Sequence, residues 1–308
     1  MKRTVWFAMI LALAATNASA WDHFGHMVVA ALAYDRLDPP VREKVDALVR
    51  LNPMYAGWVQ DVPAGERGKT AFEMAARWPD LIKADPGYQD DGENPQGPDA
   101  ALNIGYADKR MHKYWHYIDL PFSTDGSSTF PPKTPNAQTR IADFRQVVGS
   151  ASAAPELQSY DLAWLLHLVG DVHQPLHATS RFTHDLPGGD EGGNKVRLAP
   201  CDGCEKVLHA YWDDVLGTGT SPADAAVAAA AIAPAPDDAA ADLDQAHWVQ
   251  ESFVAAQRYA YAGPSIGAGG KGPYKLTEQY QADAKSVATQ RVALAGARLA
   301  NLLNQLLK

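Results

Sequence analysis

The stretch His167-Leu168-Val169-Gly170-Asp171-Val172-His173-Gln174-Pro175-Leu176-His177 constrains this chain more than any other. Pro155 can open a helix at its first turn, and Leu162, Leu165, Leu166 and Val169 recur after it at helical spacing. His167 and Asp171 then lie one turn apart on one face. Pro175 lacks the N–H that would continue the helix, so the helix should end near Gln174 and the chain should turn just before His177. Three side chains of metal-ligand type converge from a helix and the turn that closes it. An isolated His-x3-Asp is more often a satisfied core histidine beside a surface carboxylate. Recurrence tips the balance here, because His209-Ala210-Tyr211-Trp212-Asp213 repeats the spacing inside another helical run.

Further histidines and aspartates stand where such a site could use them: His26, Asp80 in Arg77-Trp78-Pro79-Asp80, and His116 in Trp115-His116-Tyr117-Ile118-Asp119. Together with His167, Asp171, His177, His209 and Asp213 they make five imidazoles and three carboxylates with no cysteine among them. That is a nitrogen and oxygen donor set suited to zinc. It exceeds what one four-coordinate ion can use, and two or three zincs fit better, with a carboxylate bridging a pair. His23, His112, His184 and His247 read as ordinary surface or core residues. The spacing of His173 turns it away from Asp171 and gives it a structural role.

At the N-terminus, Lys2 and Arg3 precede an apolar run from Val5 to Ala15 and a small-residue end, Ala18-Ser19-Ala20. This is the pattern of a secretory signal peptide over residues 1–20, so the mature protein should begin at Trp21 and be secreted or periplasmic in a bacterium. No apolar run is long enough to span a bilayer. The formal net charge of −9 argues against nucleic-acid binding through a broad basic face. It says nothing against a polyanion held at metal ions, whose charge is not counted. The only cysteines, Cys201 and Cys204, cannot make a four-thiolate zinc site, and in an oxidising compartment they read as a local disulfide.

Helical periodicity dominates the rest: His26 to Leu37, Val41 to Leu51, Ala71 to Lys83, Thr139 to Val148, Glu156 to Gln174, Lys206 to Leu216, Asp238 to Tyr261 and Leu276 to Leu307. The Ala-rich run from Ala223 to Ala233 reads as a packing helix. The expectation is an all-α fold with one domain over residues 21–308. The Gly/Pro/Asp-rich stretches Ala84 to Asp108, Pro121 to Asn136 and Ser180 to Glu205 are long enough to be functional loops.

Several motifs in one order resemble a known family: Trp21-x4-His26, Trp78-x-Asp80-x2-Lys83, Trp115-His116-Tyr117-Ile118-Asp119, Gly170-Asp171-x-His173-Gln174-Pro175-Leu176-His177, Asp190-x-Gly192-Gly193-Asn194 and His209-x2-Trp212-Asp213. The chain is similar to zinc-dependent single-strand nucleases of the S-one/P-one type, which share a helical fold with bacterial zinc phospholipase C. The resemblance implies three zinc ions. One would be held by Asp80, His116, His167 and Asp171, and a second by His177, His209 and Asp213. The third would take the α-amino nitrogen and carbonyl oxygen of Trp21, His26 and the bridging Asp171. A terminal amine can serve only after cleavage, so the signal peptide and the metal reading support each other. Three dications against three carboxylates leave about three positive charges, which suits a phosphodiester and its transition state.

The implied reaction is attack on phosphorus by a zinc-acidified water, with Asp80 orienting the water and the third ion offsetting the charge of the departing 3′ oxygen. Lys83, one turn after Asp80, would pair with Asp80 or a phosphate oxygen. Tyr117, Asp119 and Asn194 match the positions that hold a base, and stacking on an aromatic surface tolerates every base. The implied substrates are single-stranded DNA and RNA, cut to 5′-phosphorylated products, and 3′-nucleotides. Two rivals stand beside this reading. A phospholipase C of the same fold would have Glu where Asp213 stands and a longer Trp-to-His spacing at the N-terminus. A non-catalytic zinc-binding protein would carry His-rich or Cys-rich tracts, whereas these ligands are dispersed singly.

Overall fold

The computed structural model describes residues 21–199 and 207–308. The expected signal peptide and the Cys201–Cys204 disulfide lie outside the described residues. Helices dominate what is described. α1 (His23–Tyr34) starts three residues before the apolar period suggested, because the Asp22 carboxylate caps it by accepting the Gly25 N–H at 2.9 Å. His26 therefore sits inside the first turn of a helix. α2 (Pro39–Val49) and the short α3 (Tyr55–Trp58) lead to α4 (Arg67–Leu81), which is followed by a 3-10 turn at Ile82–Ala84. α5 (Ala137–Val148) is closed at its start by a reciprocal cap between Asn136 and Thr139.

α6 (Pro155–Asp171) ends at Asp171, three residues short of the expected Gln174. The turn tightens first, with His173 N–H donating to Gly170 and Gln174 N–H to Asp171, before a 3-10 turn at Pro175–Ala178 carries His177. α7 (Leu208–Asp213) and α8 (Pro222–Ala230) follow, the latter within the Ala-rich run. The single helix expected from Asp238 to Tyr261 is instead α9 (Asp237–Ala241) and α10 (Gln245–Ala255), the second ending in a π turn at Ala256–Ala260. Side chains explain the break: Asp244 caps Ala246, and Asp242 accepts from both Asp244 N–H and His247. α11 (Glu278–Leu306) closes the fold. Two three-residue strands, β1 (Pro121–Ser123) and β2 (Ser180–Phe182), pair in parallel.

α1 and α6 run through the middle. Met27 to Ala31 of α1 and Leu162 to Asp171 of α6 are buried, against α4, α5 and α11. Each fully buried Leu or Val contributes about 1.5–3 kcal/mol, so apolar burial on these two helices fixes their register. That register sets His26, His167 and Asp171 at their shared seam. A second apolar cluster around Leu176, Val196, Leu208, Trp212 and Tyr261 seats α7, with its His209 and Asp213. Among the described residues no helix is long and apolar enough to cross a membrane.

Candidate metal centre

Three groups of ligand atoms gather inside the helical core: His26 with His167 and Asp171, Asp80 with His116 and His167, and His177 with His209 and Asp213. All eight side chains are buried. His167 Nε2 lies 2.8 Å from His116 Nδ1, 3.3 Å from Asp171 Oδ2 and 3.6 Å from Asp80 Oδ1. His177 Nε2 lies 2.9 Å from His209 Nε2, which is 3.6 Å from Asp213 Oδ2. Ligands about 2.1 Å from a tetrahedral zinc are separated from one another by roughly 3.4 Å, so these spacings fit such an ion. The two oxygens of Asp171 divide between groups: Oδ1 faces His26 Nε2 at 3.2 Å and Oδ2 faces His116 Nδ1 at 3.1 Å.

Backbone carbonyls fix the tautomers of the second histidine pair. His177 Nδ1 donates to the His116 carbonyl at 2.8 Å, and His209 Nδ1 donates to the Gly192 carbonyl at 2.7 Å. Burial drives both imidazoles toward the neutral form, His209 down to about 4. Each ring then directs an unprotonated Nε2 at the other, an arrangement that repels unless a cation joins them. His167 is fixed in the same way by Nδ1 donation to the Ala76 carbonyl at 2.8 Å. Buried Asp80 Oδ2, Asp171 Oδ1 and His116 Nε2 have no hydrogen-bond partner among the described residues. Burial pushes the Asp171 and Asp213 carboxyls well above the usual range, the direction that a bound cation reverses. Burial would raise Asp80 too, but the Lys83 ammonium, 2.7 Å from Oδ1, helps hold it well below.

The backbone that orients these rings explains the motif. Pro79 lies within α4 and lacks the N–H that would bond the Ala75 carbonyl, one residue before the Ala76 carbonyl that accepts His167 Nδ1. A Cβ on Gly170 would stand 2.9 Å from His26 Nδ1, so only glycine lets α1 approach α6 there. Gly192, at φ +59, would drive a Cβ to 2.3 Å from the Leu176 carbonyl oxygen. Trp21 is buried, its indole N–H donating to the Gly170 carbonyl at 3.1 Å, while Asp22 N–H bonds Asp213 O. The N-terminal segment is thereby pinned between α6 and α7. His173 turns away, donating from Nδ1 to Val169 O and accepting Arg298 at Nε2. His112 is a core residue stacked on Trp115 with centroids 3.6 Å apart, and His184 and His247 are exposed and paired with Asp125 and Asp242.

The residues matched to base binding are Tyr117, Asp119 and Asn194. Tyr117 is half-buried and its hydroxyl donates to the Glu93 carbonyl. Asp119 is half-buried, and burial, with Asp190 and Glu191 nearby, pushes its carboxyl up to about 7. Asn194 is half-buried and donates to the Glu191 carbonyl at 2.9 Å. The loop around Glu93 is tied down by Lys113 to Asp90 and Glu93 and by Lys133 to Asn94. Gln174 lies inside the motif but carries no metal-ligand side chain. Its amide donates to Asp213 Oδ1, a role that only the fold reveals.

The sequence profile described as "S1/P1 Nuclease" matches residues 21–308. Nuclease P1 of Penicillium citrinum and nuclease PA3 of a Penicillium species are each 34% identical over 73 residues, 24% of this chain and 24% of each relative. Endonuclease 3 of Arabidopsis thaliana is 25% identical over 219 residues, covering 69% of this chain and 60% of the relative. The matched segments thus span about a quarter of the two fungal enzymes and three fifths of the plant enzyme. With the profile covering every residue from Trp21 to the end, around a helical core that gathers three buried His/Asp groups able to bind metal, the chain belongs to the S1/P1 nuclease family.

Proposed function

We propose that this nuclease hydrolyses single-stranded DNA and RNA to 5′-phosphorylated products and removes the phosphate of 3′-nucleotides, with three zinc ions per chain. Asp80, His116, His167 and Asp171 would hold the first ion, and His177, His209 and Asp213 the second. The Trp21 amino nitrogen and carbonyl oxygen, His26 and Asp171 would hold the third. The observation that carries the reading is the divided carboxylate of Asp171, with one oxygen toward His26 and the other toward His116 and His167. When bound, the ions supply an acidified water and positive charge against the phosphate and the leaving oxygen.

The chain's own residues do the rest. Asp80 accepts Lys83 on Oδ1, which also lies 3.6 Å from His167 Nε2, and its Oδ2, 4.0 Å from His26 Nε2, can orient the attacking water. Lys83 holds Asp80 ionised and adds positive charge beside the phosphate. The Tyr117 ring offers a stacking face, and the Asp119 carboxyl and Asn194 amide offer polar contacts to a base edge. Recession of the ligands favours a flexible single strand over a duplex, whose phosphates cannot reach buried atoms. Export through a signal peptide, to the periplasm or the medium, frees the amino group of Trp21.

The test is purified protein beginning at Trp21, assayed on single-stranded DNA, RNA, 3′-AMP, duplex DNA and phosphatidylcholine, with metal analysis. Cleavage of the first three, with 5′-phosphate ends on the polymers, and about three zincs per chain are expected. Hydrolysis of phosphatidylcholine alone would replace the reading with a phospholipase. Fewer than two zincs in active protein would overturn the cluster.

A further inference from the structure

We propose that Arg77 forms a phosphate subsite that grips the phosphate adjoining the one being cut in a single-stranded polynucleotide. The proposal rests on reading the metal centre as a phosphodiesterase. Arg77 lies on α4 three residues before Asp80, which is itself three before Lys83, so the three side chains follow one edge of the chain. One helical turn is about 5.4 Å, comparable with the step between neighbouring phosphates in an extended strand.

The guanidinium itself is anomalous. It is half-buried, its Nε is buried without a hydrogen-bond partner, and no hydrogen bond or ion pair joins it to a described residue. Every other buried or half-buried arginine, from Arg42 to Arg298, donates N–H groups to a carbonyl or carboxylate. Partial desolvation without a partner is unfavourable for a cation, and a phosphate relieves it. The guanidinium fork matches two non-bridging oxygens at once. Across the seam, His23 opens α1, half-buried with its Nδ1 also lacking a hydrogen-bond partner, and lies within electrostatic reach of Arg77. Asp80 and Asp22 lie within electrostatic reach of Arg77 and favour its charge, while burial opposes it.

The experiment compares kcat/KM for a dinucleoside monophosphate, which has one phosphate, with that for a trinucleoside diphosphate, which has two. Wild type prefers the longer substrate. Arg77→Ala reduces that preference about tenfold or more, as for loss of a charge-assisted hydrogen bond. Arg77→Lys restores only part of it, because an ammonium keeps the charge without the fork. The salt slope of single-stranded DNA binding falls by about one in Arg77→Ala. Zinc content and melting temperature match wild type. An undiminished preference in Arg77→Ala overturns the subsite alone. An equal loss on both substrates, or loss of zinc or melting temperature, assigns Arg77 a structural role and also overturns it. Wild type that cleaves neither substrate overturns the phosphodiesterase reading together with the subsite.

Discussion

The Gln174 side-chain amide donates to Asp213 Oδ1 at 2.7 Å, while its own carbonyl accepts the Leu176 N–H at 2.5 Å. One uncharged residue thereby joins the turn after α6 to the carboxylate at the end of α7. It also holds Asp213 so that Oδ2, the other oxygen, is left for the His177 and His209 pair. Replacing Gln174 with Leu keeps the volume and removes both bonds. Metal affinity should fall about 10–100-fold, the usual effect of losing a partner that orients a ligand. Competition with a graded series of chelators measures this, and unchanged affinity would show that Asp213 needs no such support.

Asp171 and Asp119 make a contrasting pair. Asp171→Ala removes the carboxylate whose two oxygens face His26 and His116, whereas Asp119→Ala removes a half-buried carboxyl at the proposed base site. Turnover should collapse in the first and largely survive in the second, with altered base preference. Steady-state kinetics on homopolymers separates them, and equal turnover would mean that the bridging role is misassigned.

Removal of metal should destabilise the fold as well as abolish activity. The ligands come from α1, α4, α6, α7 and two turns, so ions cross-link segments distant in sequence, and their binding free energy adds to folding free energy. Chelator-treated protein should melt at a lower temperature, and zinc should restore both melting temperature and rate. An unchanged melting curve after verified metal loss would contradict this.

Glu73 gives a pH signature away from the cluster. It is buried on α4, and burial pushes its carboxyl up to about 8. An acid whose folded pKa exceeds its unfolded value contributes least when ionised. Its stability contribution is therefore greatest below about 4.5 and declines as pH rises toward 8. Glu73→Gln should remove this slope, so its melting temperature should gain on wild type between pH 5 and pH 8. Parallel melting temperatures across that window would refute the shift.

On the proposed three-ion reading, the N-terminus would link export to metal. Protein carrying Met or a tag before Trp21 should fold but bind the third ion weakly, because an amide nitrogen is a poor ligand. Turnover should fall roughly a hundredfold or more, the scale of losing an oxyanion donor, and proteolytic removal of the extension should restore it. Full zinc content in verified extended protein would remove Trp21 from the ligand set.

Helix content and the candidate ligand residue types were legible because each depends on residues close in sequence. The i, i+4 spacings of His167 with Asp171 and of His209 with Asp213 are local facts of backbone geometry. The nuclease family was legible too, from the order of its motifs. Other features depend on contacts across the chain, and only the fold decided them. Periodicity could not reveal the break between α9 and α10, where Asp242 and Asp244 prefer their own backbone and His247 to a continuing helix. Nor could it assign Gln174 to Asp213, the Ala76 carbonyl to His167, or the Gly192 carbonyl to His209. Those bonds fix which nitrogen of each ring is left for metal, and they join segments whose distance is set by apolar packing of α1 and α6. The identity of the candidate ligands is thus a property of the sequence, while their orientation is a property of the packed core.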